Sequence, residues 1–147
     1  MTKIMILNGP NLDKLGTREP DVYGTLTLAD LEKACVEKAS ELGLQIDFRQ
    51  SNSETELIEW LHLAASQNSP VIFNPAAFTH YSVAIRDAAA LLTAPLIEVH
   101  ISNPLAREEF RHTSLISGLA KGTISGFGLN SYLLALSALA QDLPNQD

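Results

Sequence analysis

The sequence predicts a doubly wound α/β fold around a five-stranded parallel sheet. Short apolar runs alternate with stretches of helix length that carry one apolar face, which is the pattern of repeated β-α-β units. Most of the apolar runs are followed by Asn, Gly or Pro, which commonly end a strand. A length of 147 residues is typical of one domain, so we expect a single catalytic domain over residues 1–147.

The first strand is predicted at residues 3–7, where an apolar run is ended by Asn8-Gly9-Pro10. The polar segment that follows, at about 11–24, is too long for an ordinary turn between a strand and a helix. Loops of this length are usually functional, so we expect an active-site lid there. Thr27 is the expected N-cap of a helix to about residue 42, which Gly43 ends at the C′ position.

The centre of the chain supplies two more strands and two helices. Residues 44–49 alternate as a second strand, and the spacing of Ser53 and Glu56 predicts a capping box that opens a helix to about residue 67. A third strand covers residues 70–73 and is broken by Asn74-Pro75. Residues 81–92 form an Ala-rich helix.

The last third of the chain completes the sheet. A fourth strand is predicted at residues 96–101, an irregular or briefly helical stretch at 105–119, a short fifth strand at 123–125 and an apolar closing helix at 129–141. Right-handed crossovers make the flavodoxin-like strand order 2-1-3-4-5 the default arrangement for five such strands.

Composition argues against several classes of partner. The net charge of −7 disfavours nucleic acid and anionic membranes, and no run approaches the eighteen or so apolar residues of a membrane span. Residues 1–7 are too short for a signal peptide. Cys35 is the only cysteine, so neither an internal disulfide nor a cysteine-based zinc site is expected, and a reducing, cytoplasmic location follows.

The candidate site lies where the strands end, because ligands of open α/β sheets bind at the carboxyl edge near the switch point between strands 1 and 3. Polar residues that follow or end the strands there are Asn8, Asn11, Asn74, His80, Glu98, His100, Ser102 and Asn103. This concentration of polar groups exceeds what structural turns require.

Glu98, His100 and Ser102 alternate along the fourth strand, so their side chains can face one cleft. A carboxylate beside an imidazole fixes its orientation and favours its protonated form, as a general acid requires. The alternative is a polar strand end with a solvated histidine. A serine nucleophile lacks the Gly-x-Ser-x-Gly elbow, and a metal site of His80, Glu98 and His100 lacks a supporting motif.

The predicted lid carries Arg18 and Tyr23, five residues apart. A neighbouring cation lowers the pKa of a phenol, which would let Tyr23 act as a base, whereas the alternative is an ordinary amphipathic surface residue. No lysine is placed for imine chemistry at the carboxyl edge. His62 and His112 have weaker claims to a role, and Gly126-Phe127-Gly128 lacks the third glycine of a dinucleotide-binding fingerprint.

Several ordered motifs then identify a relationship. The chain resembles type II 3-dehydroquinate dehydratases over essentially its whole length. The segments that carry the resemblance are Leu7-Asn8-Gly9-Pro10-Asn11-Leu12, Leu15-Gly16-Thr17-Arg18-Glu19-Pro20, Val22-Tyr23-Gly24, Phe48-Arg49-Gln50-Ser51-Asn52, Asn74-Pro75-Ala76-Ala77-Phe78-Thr79-His80, Glu98-Val99-His100-Ile101-Ser102-Asn103 and Arg107-Glu108-Glu109-Phe110-Arg111.

The resemblance implies anti elimination of water from 3-dehydroquinate through an enolate, without cofactor, metal or Schiff base. It assigns Tyr23 as the base, His100 as the acid and Arg18 as the activator of Tyr23. It implies that Asn11 places the tyrosine or a water at the enolate. It implies that Glu98 orients the histidine. Ile101 and Ser102 would hold the substrate carboxylate, and Asn74, His80 and Arg111 would hold ring hydroxyls or the water at the enolate.

The resemblance also implies a homo-oligomer, commonly a dodecamer of trimers, in which Asp87 reaches a neighbouring subunit's site. The ligand would be a small anionic cyclic polyol acid from the shikimate pathway. Two other interpretations remain open, a flavodoxin-like binding module and a metal-dependent hydrolase. The first predicts a phosphate loop rich in Ser or Thr after strand 1, which residues 8–12 lack, and the second predicts inhibition by a chelator.

Overall fold

A computed structural model describes residues 3–17 and 19–143, and for Tyr23 the backbone alone. Its sheet has five parallel strands in the order 2-1-3-4-5, which confirms the predicted topology. The strands are β1 (Lys3–Asn8), β2 (Gln45–Gln50), β3 (Val71–Asn74), β4 (Leu96–His100) and β5 (Gly122–Ser125). Each lies within two residues of its predicted bounds.

Helices lie between the strands and at the end of the described chain. The α-helices are α1 (Pro20–Tyr23), α2 (Leu28–Glu41), α3 (Glu54–Gln67), α4 (Val83–Ala89) and α5 (Leu129–Asp142). Short 3₁₀ helices occur at Leu12–Lys14, Ala76–His80, Pro104–Ala106 and Glu109–Arg111. None of the helices in the described ranges is long and apolar enough to cross a membrane.

The centre of the sheet is apolar on both faces because β1, β3 and β4 alternate their side chains between two cores. In β1, Ile4 and Ile6 pack on the face that contains α2 and α5, whereas Met5 and Leu7 pack on the face that contains α3 and α4. Cys35 lies in the first core, where burial raises the pKa of its thiol to about 12. The cysteine is therefore an inert core residue.

The helix caps follow the sequence with one exception. Thr27 accepts a hydrogen bond from the Asp30 amide at 3.1 Å, and Asp30 returns one to the Thr27 amide. Ser53 accepts from the Glu56 amide at 3.2 Å, but the Ser53 amide donates to the Ser51 hydroxyl at 2.9 Å. The predicted capping box is thus only half formed, because Ser51 satisfies the donor that a glutamate usually reaches.

Helix α4 is shorter than the predicted 81–92. The Ser82 hydroxyl accepts from the Ile85 amide at 3.1 Å and so acts as N-cap, which sets the first helical residue at Val83. The segment 76–80 before it coils as a 3₁₀ helix. The sequence analysis did not anticipate the cap, although Ser is among the best N-cap residues.

The predicted lid segment is partly anchored. Leu12 and Leu15 are only 3% and 4% exposed and belong to the core beneath α2. Beyond them, residues 20–22 of α1 are exposed, and the side chain of Tyr23 lies outside the description. The first half of the segment is therefore fixed to the domain by its two leucines.

Candidate active site

A cleft opens at the carboxyl edge of the sheet. The sequence-predicted residues that line it are Asn11, Asn74, His80, His100, Ile101, Ser102 and Arg111, together with Arg107. Chain segments far apart in the sequence meet here because parallel strands all end at the same edge. The cleft lies next to the β1–β3 switch point, the position at which the sequence predicts the site.

Glu98 and His100 form a hydrogen-bonded pair beside the cleft. They lie two residues apart on β4, so both side chains point to the face that contains α3 and α4. The Nε2 atom of His100 lies 2.5 Å from Oε2 of Glu98. Because a carboxylate can only accept, Nε2 carries a proton, and Nδ1 is the ring nitrogen left for a ligand.

Three hydroxyl groups surround the Glu98 carboxylate. Thr79 donates at 2.7 Å, Ser117 at 2.7 Å and Ser114 at 2.8 Å. Glu98 is 1% exposed, and burial by itself would raise its pKa. The hydrogen bond and charge of His100 and the bonds from Ser117 and Thr79 outweigh burial and hold the pKa at about 2. Glu98 is therefore an anion at neutral pH.

The ends of β1 and β3 approach each other closely beside the cleft. Asn8 and Asn74 are register partners, and the Gly9 amide donates to the Asn74 carbonyl at 2.8 Å. A Cβ atom on Gly9 would lie 2.5 Å from the Pro75 carbonyl oxygen, so only glycine fits. Both asparagine side chains bond to the buried Tyr132 hydroxyl, at 2.6 Å from Asn8 and 2.9 Å from Asn74.

Two arginines bring positive charge to the cleft of this acidic chain. Arg107 donates to the Ser102 hydroxyl at 3.3 Å and lies 3.5 Å from Glu19 of the lid segment. Arg111 donates to Glu108 at 2.9 Å. Both side chains are less than one-fifth exposed, which strengthens their attraction for an anion. The cleft suits a small anionic ligand.

His80 lines the same cleft and has a defined tautomer. Its Nδ1 atom lies 2.8 Å from the Thr113 carbonyl oxygen, which can only accept, so Nδ1 carries a proton. The Nε2 atom is therefore the one that can accept from, or as imidazolium donate to, a ligand. Asn11 has a left-handed backbone (φ 69°), which asparagine tolerates well. Its backbone amide donates to Oδ1 of Asn52 at 2.9 Å.

Some predicted site residues are not brought into this cleft by the described structure. Arg18 and the side chain of Tyr23 lie outside the described residues. Asp87 lies on the exposed side of α4, pairs with Arg86 at 3.1 Å and is absent from the lining of the cleft. Within residues 3–17 and 19–143, no three His, Cys, Asp or Glu side chains form a group suited to hold a metal ion.

Four residues that contact the predicted ones were not predicted from the sequence. Thr79, Ser114, Ser117 and Tyr132 bond to Glu98 or to the asparagines. Thr79 precedes His80 and could have been noticed for that reason. Tyr132 gives a weaker signal, since it is the one polar aromatic group on the buried stripe of α5, whereas nothing marks two serines in an irregular stretch.

Comparison with known proteins gives consistent matches over nearly the whole chain. The family model described as class II dehydroquinase matches residues 2–140. The chain is 58% identical to 3-dehydroquinate dehydratase of Maricaulis maris, covering 97% of each protein. It is 56% identical to that of Salinispora tropica, covering 94% of this chain and 96% of the relative.

Solved structures agree with these matches. A type II dehydroquinase from Propionibacterium acnes superposes with a TM-score of 0.95 at 54% identity, covering 97% of this chain and 98% of the other. A type II dehydroquinase from Butyrivibrio crossotus gives a TM-score of 0.91 at 40% identity, covering 94% and 97%. The whole fold, including the edge that carries the cleft, is therefore shared.

Proposed function

Since the chain belongs to the class II dehydroquinase family, we propose that its cleft binds 3-dehydroquinate and removes water from it to form 3-dehydroshikimate. The observation that carries the proposal is the Glu98–His100 pair beside a cationic cleft, in a chain that matches this family over residues 2–140. The two alternative interpretations, a binding module and a metal-dependent hydrolase, are not favoured by these matches.

The elimination needs one base and one acid. A base takes the proton from C2, and the electrons of that C–H bond form an enolate with the adjacent carbonyl. Collapse of the enolate forms the C1–C2 double bond while the C1–O bond breaks and the hydroxyl leaves with a proton from the acid. The proton on the base returns to the acid through solvent, so no cofactor is consumed.

His100 suits the acid step because of its contact with Glu98. The bond from Nε2 to Glu98 fixes the ring, so the imidazolium gives up its proton from Nδ1. The buried negative charge of Glu98 balances the positive charge of that imidazolium. Glu98 thereby orients the acid without touching the substrate.

We assign the substrate carboxylate to the end of β4. Ser102 accepts from Arg107, so its own hydroxyl proton is available for a carboxylate oxygen, alongside the backbone amides of Ile101 and Ser102. Asn74, His80 and Arg111 line the remaining wall and would hold ring hydroxyls or a water at the enolate. These roles also follow the family resemblance.

The lid supplies the base in this proposal. Tyr23 takes the C2 proton, and Arg18 lowers the pKa of its phenol by its positive charge. Asn11, whose backbone is held by Asn52, places the tyrosine or a water at the enolate. Tyr23 is the last residue of α1, which directly follows Glu19, the lid residue that meets Arg107.

A direct assay tests the reaction. Purified protein with 3-dehydroquinate should raise the absorbance of the conjugated enone product, and borohydride added during turnover should leave the activity intact. His100→Ala should lower kcat by about a hundredfold or more, whereas His62→Ala, a change at an exposed histidine of α3, should not. A folded wild-type protein that forms no enone would refute the proposed function.

We also propose a trimer-based homo-oligomer, up to a dodecamer, in which Asp87 completes a neighbour's cleft. Exposed apolar side chains on segments near the cleft support it, namely Tyr81, Val83, Leu105 and Phe110. The apolar residues of α5 give little support, although Leu134 is 48% exposed. Leu136 and Leu139 are buried in the subunit's own core, and Leu129 and Leu133 pack against it. The buried, free Cys35 is compatible with a cytoplasmic location, which we also propose.

A further inference from the structure

Tyr132 is a fully buried tyrosine whose hydroxyl meets the ends of two strands beside the cleft. It lies on α5, donates to Oδ1 of Asn8 at 2.6 Å and accepts from Nδ2 of Asn74 at 2.9 Å. Asn8 and Asn74 share the sheet face that α5 covers, because they alternate with Leu7 and Phe73, which face the other core. The hydroxyl therefore bridges the β1–β3 switch point.

The bonds around Tyr132 allow only one orientation for each amide. Asn8 donates from Nδ2 to the Arg49 carbonyl at 2.9 Å, so its Oδ1 must face the tyrosine. The tyrosine proton is used for that oxygen, which leaves the phenol oxygen as an acceptor for Nδ2 of Asn74. On its other side, Oδ1 of Asn74 accepts from the Ala76 amide at 3.0 Å.

This arrangement leaves Asn74 one proton to offer. An amide nitrogen carries two protons, and Tyr132 takes only one of them. Asn74 is 3% exposed and lines the cleft, so the second proton is the group that it can present to a ligand. If the amide turned over, it would present its oxygen instead and reverse the polarity of this wall.

We infer that Tyr132 is a positioning residue that, together with the Ala76 backbone amide, fixes the Asn74 side chain and leaves one Nδ2 proton for the cleft, and so sets the hydrogen-bond polarity of the substrate site. The inference rests on the proposed function, in which Asn74 contacts the substrate. Tyr132 itself lies behind Asn74 and is not a catalytic residue.

The chemistry of the phenol fits this role better than that of a plain core residue. Burial raises the pKa of Tyr132 well above its usual range, so the hydroxyl keeps its proton and remains a donor to Asn8 at any working pH. A phenylalanine would fill nearly the same volume without the cost of burying a polar group. The hydroxyl is therefore informative, since the packing alone does not need it.

A double-mutant cycle tests the inference. Tyr132→Phe should lower kcat/KM for 3-dehydroquinate by about tenfold, the effect of one hydrogen bond to a reacting ligand. The loss should appear in the parameter, kcat or KM, that Asn74→Ala changes. In the Asn74→Ala background, Tyr132→Phe should cause no further loss of kcat/KM. Thr93→Val, which removes a hydroxyl that donates to Asn68 at 2.6 Å and does not line the cleft, is the control and should leave kcat/KM unchanged.

Three outcomes overturn the inference. If Tyr132→Phe lowers kcat/KM equally in the wild type and in Asn74→Ala, Tyr132 has a general structural role. The same conclusion follows if Tyr132→Phe alone leaves kcat/KM unchanged and lowers only the Tm. Full activity of Asn74→Ala would remove the residue through which Tyr132 acts, while wild-type turnover would still support the proposed reaction.

A crystal structure of Tyr132→Phe gives a measurement that does not depend on the reaction. The Asn74 amide should be turned or displaced from the Nδ2-inward position. An unchanged Asn74 amide would overturn the inference even if activity fell, and a displaced amide would support it even if 3-dehydroquinate proved not to be the substrate.

Discussion

A negative charge is stable at Glu98, which is 1% exposed, because four donors surround its carboxylate. His100 and the hydroxyls of Thr79, Ser114 and Ser117 replace the lost water. The free-energy cost of burying the charge is thus offset by hydrogen bonds that are stronger to the carboxylate than they would be to a neutral carboxyl group. The same bonds link the charge of Glu98 to the stability of the fold.

We expect this link to appear as loss of stability in acid. The pKa of Glu98 is about 2 in the folded protein and 4.5 ordinarily, so its stabilisation is complete above pH 4.5 and is lost as the pH falls through 2. The difference corresponds to about 3 kcal/mol. Denaturant unfolding of Glu98→Gln should show less dependence on pH between 5 and 2 than the wild type.

Glu59→Gln, a change at an exposed carboxyl group of α3, is the control for that measurement and should retain the wild-type pH dependence. If Glu98→Gln loses stability in acid as steeply as the wild type, the hydroxyl shell does not hold the charge and another carboxylate governs the acid range.

At the lid, the proposed base needs a lower pKa than a free tyrosine has. A tyrosine titrates near 10, and bringing that to about 7 requires on the order of 4 kcal/mol of extra stabilisation of the phenolate. Arg18, with help from Arg107, is the proposed source of it. Tyr23→Phe should therefore abolish turnover while binding of substrate survives in calorimetry.

Arg18→Lys should lower kcat and move the basic limb of the activity profile to higher pH, because lysine cannot form the fixed two-pronged contact of a guanidinium. Near-normal kcat in Tyr23→Phe would mean that the lid tyrosine is only a cover for the cleft, and the base would then have to be sought among the other residues.

The ends of β1 and β3 lie so close together that position 9 has no room for a side chain. Gly9→Ala would place a methyl group 2.5 Å from the Pro75 oxygen, and a backbone atom cannot turn aside. We expect a loss of about 2–3 kcal/mol in the free energy of unfolding, as for other overpacked sites, together with lower kcat/KM because Asn74 must move. Denaturant titration and steady-state kinetics would measure both.

Gly118→Ala is the matched control, since an added Cβ there would have no atom within 4 Å. It should leave stability and activity close to the wild type. An equally mild effect at Gly9 would show that the two strand ends can separate without cost, and would weaken the case for a rigid switch point.

The sequence predicted the elements and part of the site for identifiable physical reasons. Alternation along β1 and β4 is a local signal, so the strands and the shared direction of Glu98 and His100 could be predicted. Ser114 and Ser117 join the site from an irregular stretch 16 and 19 residues beyond Glu98. No local pattern encodes that approach, because it depends on how the whole loop folds back.

The proposed role of Asp87 can be tested through the assembly of the whole molecule. If Asp87 of one subunit completes the cleft of the next, a mixed oligomer of Asp87→Ala and His100→Ala subunits contains some clefts with both residues intact. Mixing the two inactive variants after reversible dissociation should therefore restore part of the activity. The enone assay and light scattering on the mixture would measure this.

The control pair is His100→Ala with Tyr23→Phe, two changes assigned to the same subunit's cleft, which should give no recovery. A fully active monomer of about 15.9 kDa in light scattering would contradict the proposed assembly.

The position of Tyr132 also matters while the chain is being made. Its hydroxyl pairs with residues 58 and 124 positions earlier in the sequence. Asn8 is synthesised 124 residues before Tyr132, so its hydrogen-bond partner leaves the ribosome only with α5. A polypeptide that terminates before residue 132 would lack most of α5, and the sheet face that contains Asn8 and Asn74 would lose its cover as well as the bridging hydroxyl. The order of synthesis therefore makes the ends of β1 and β3 depend on the last helix of the described chain for both their cover and their hydrogen bond.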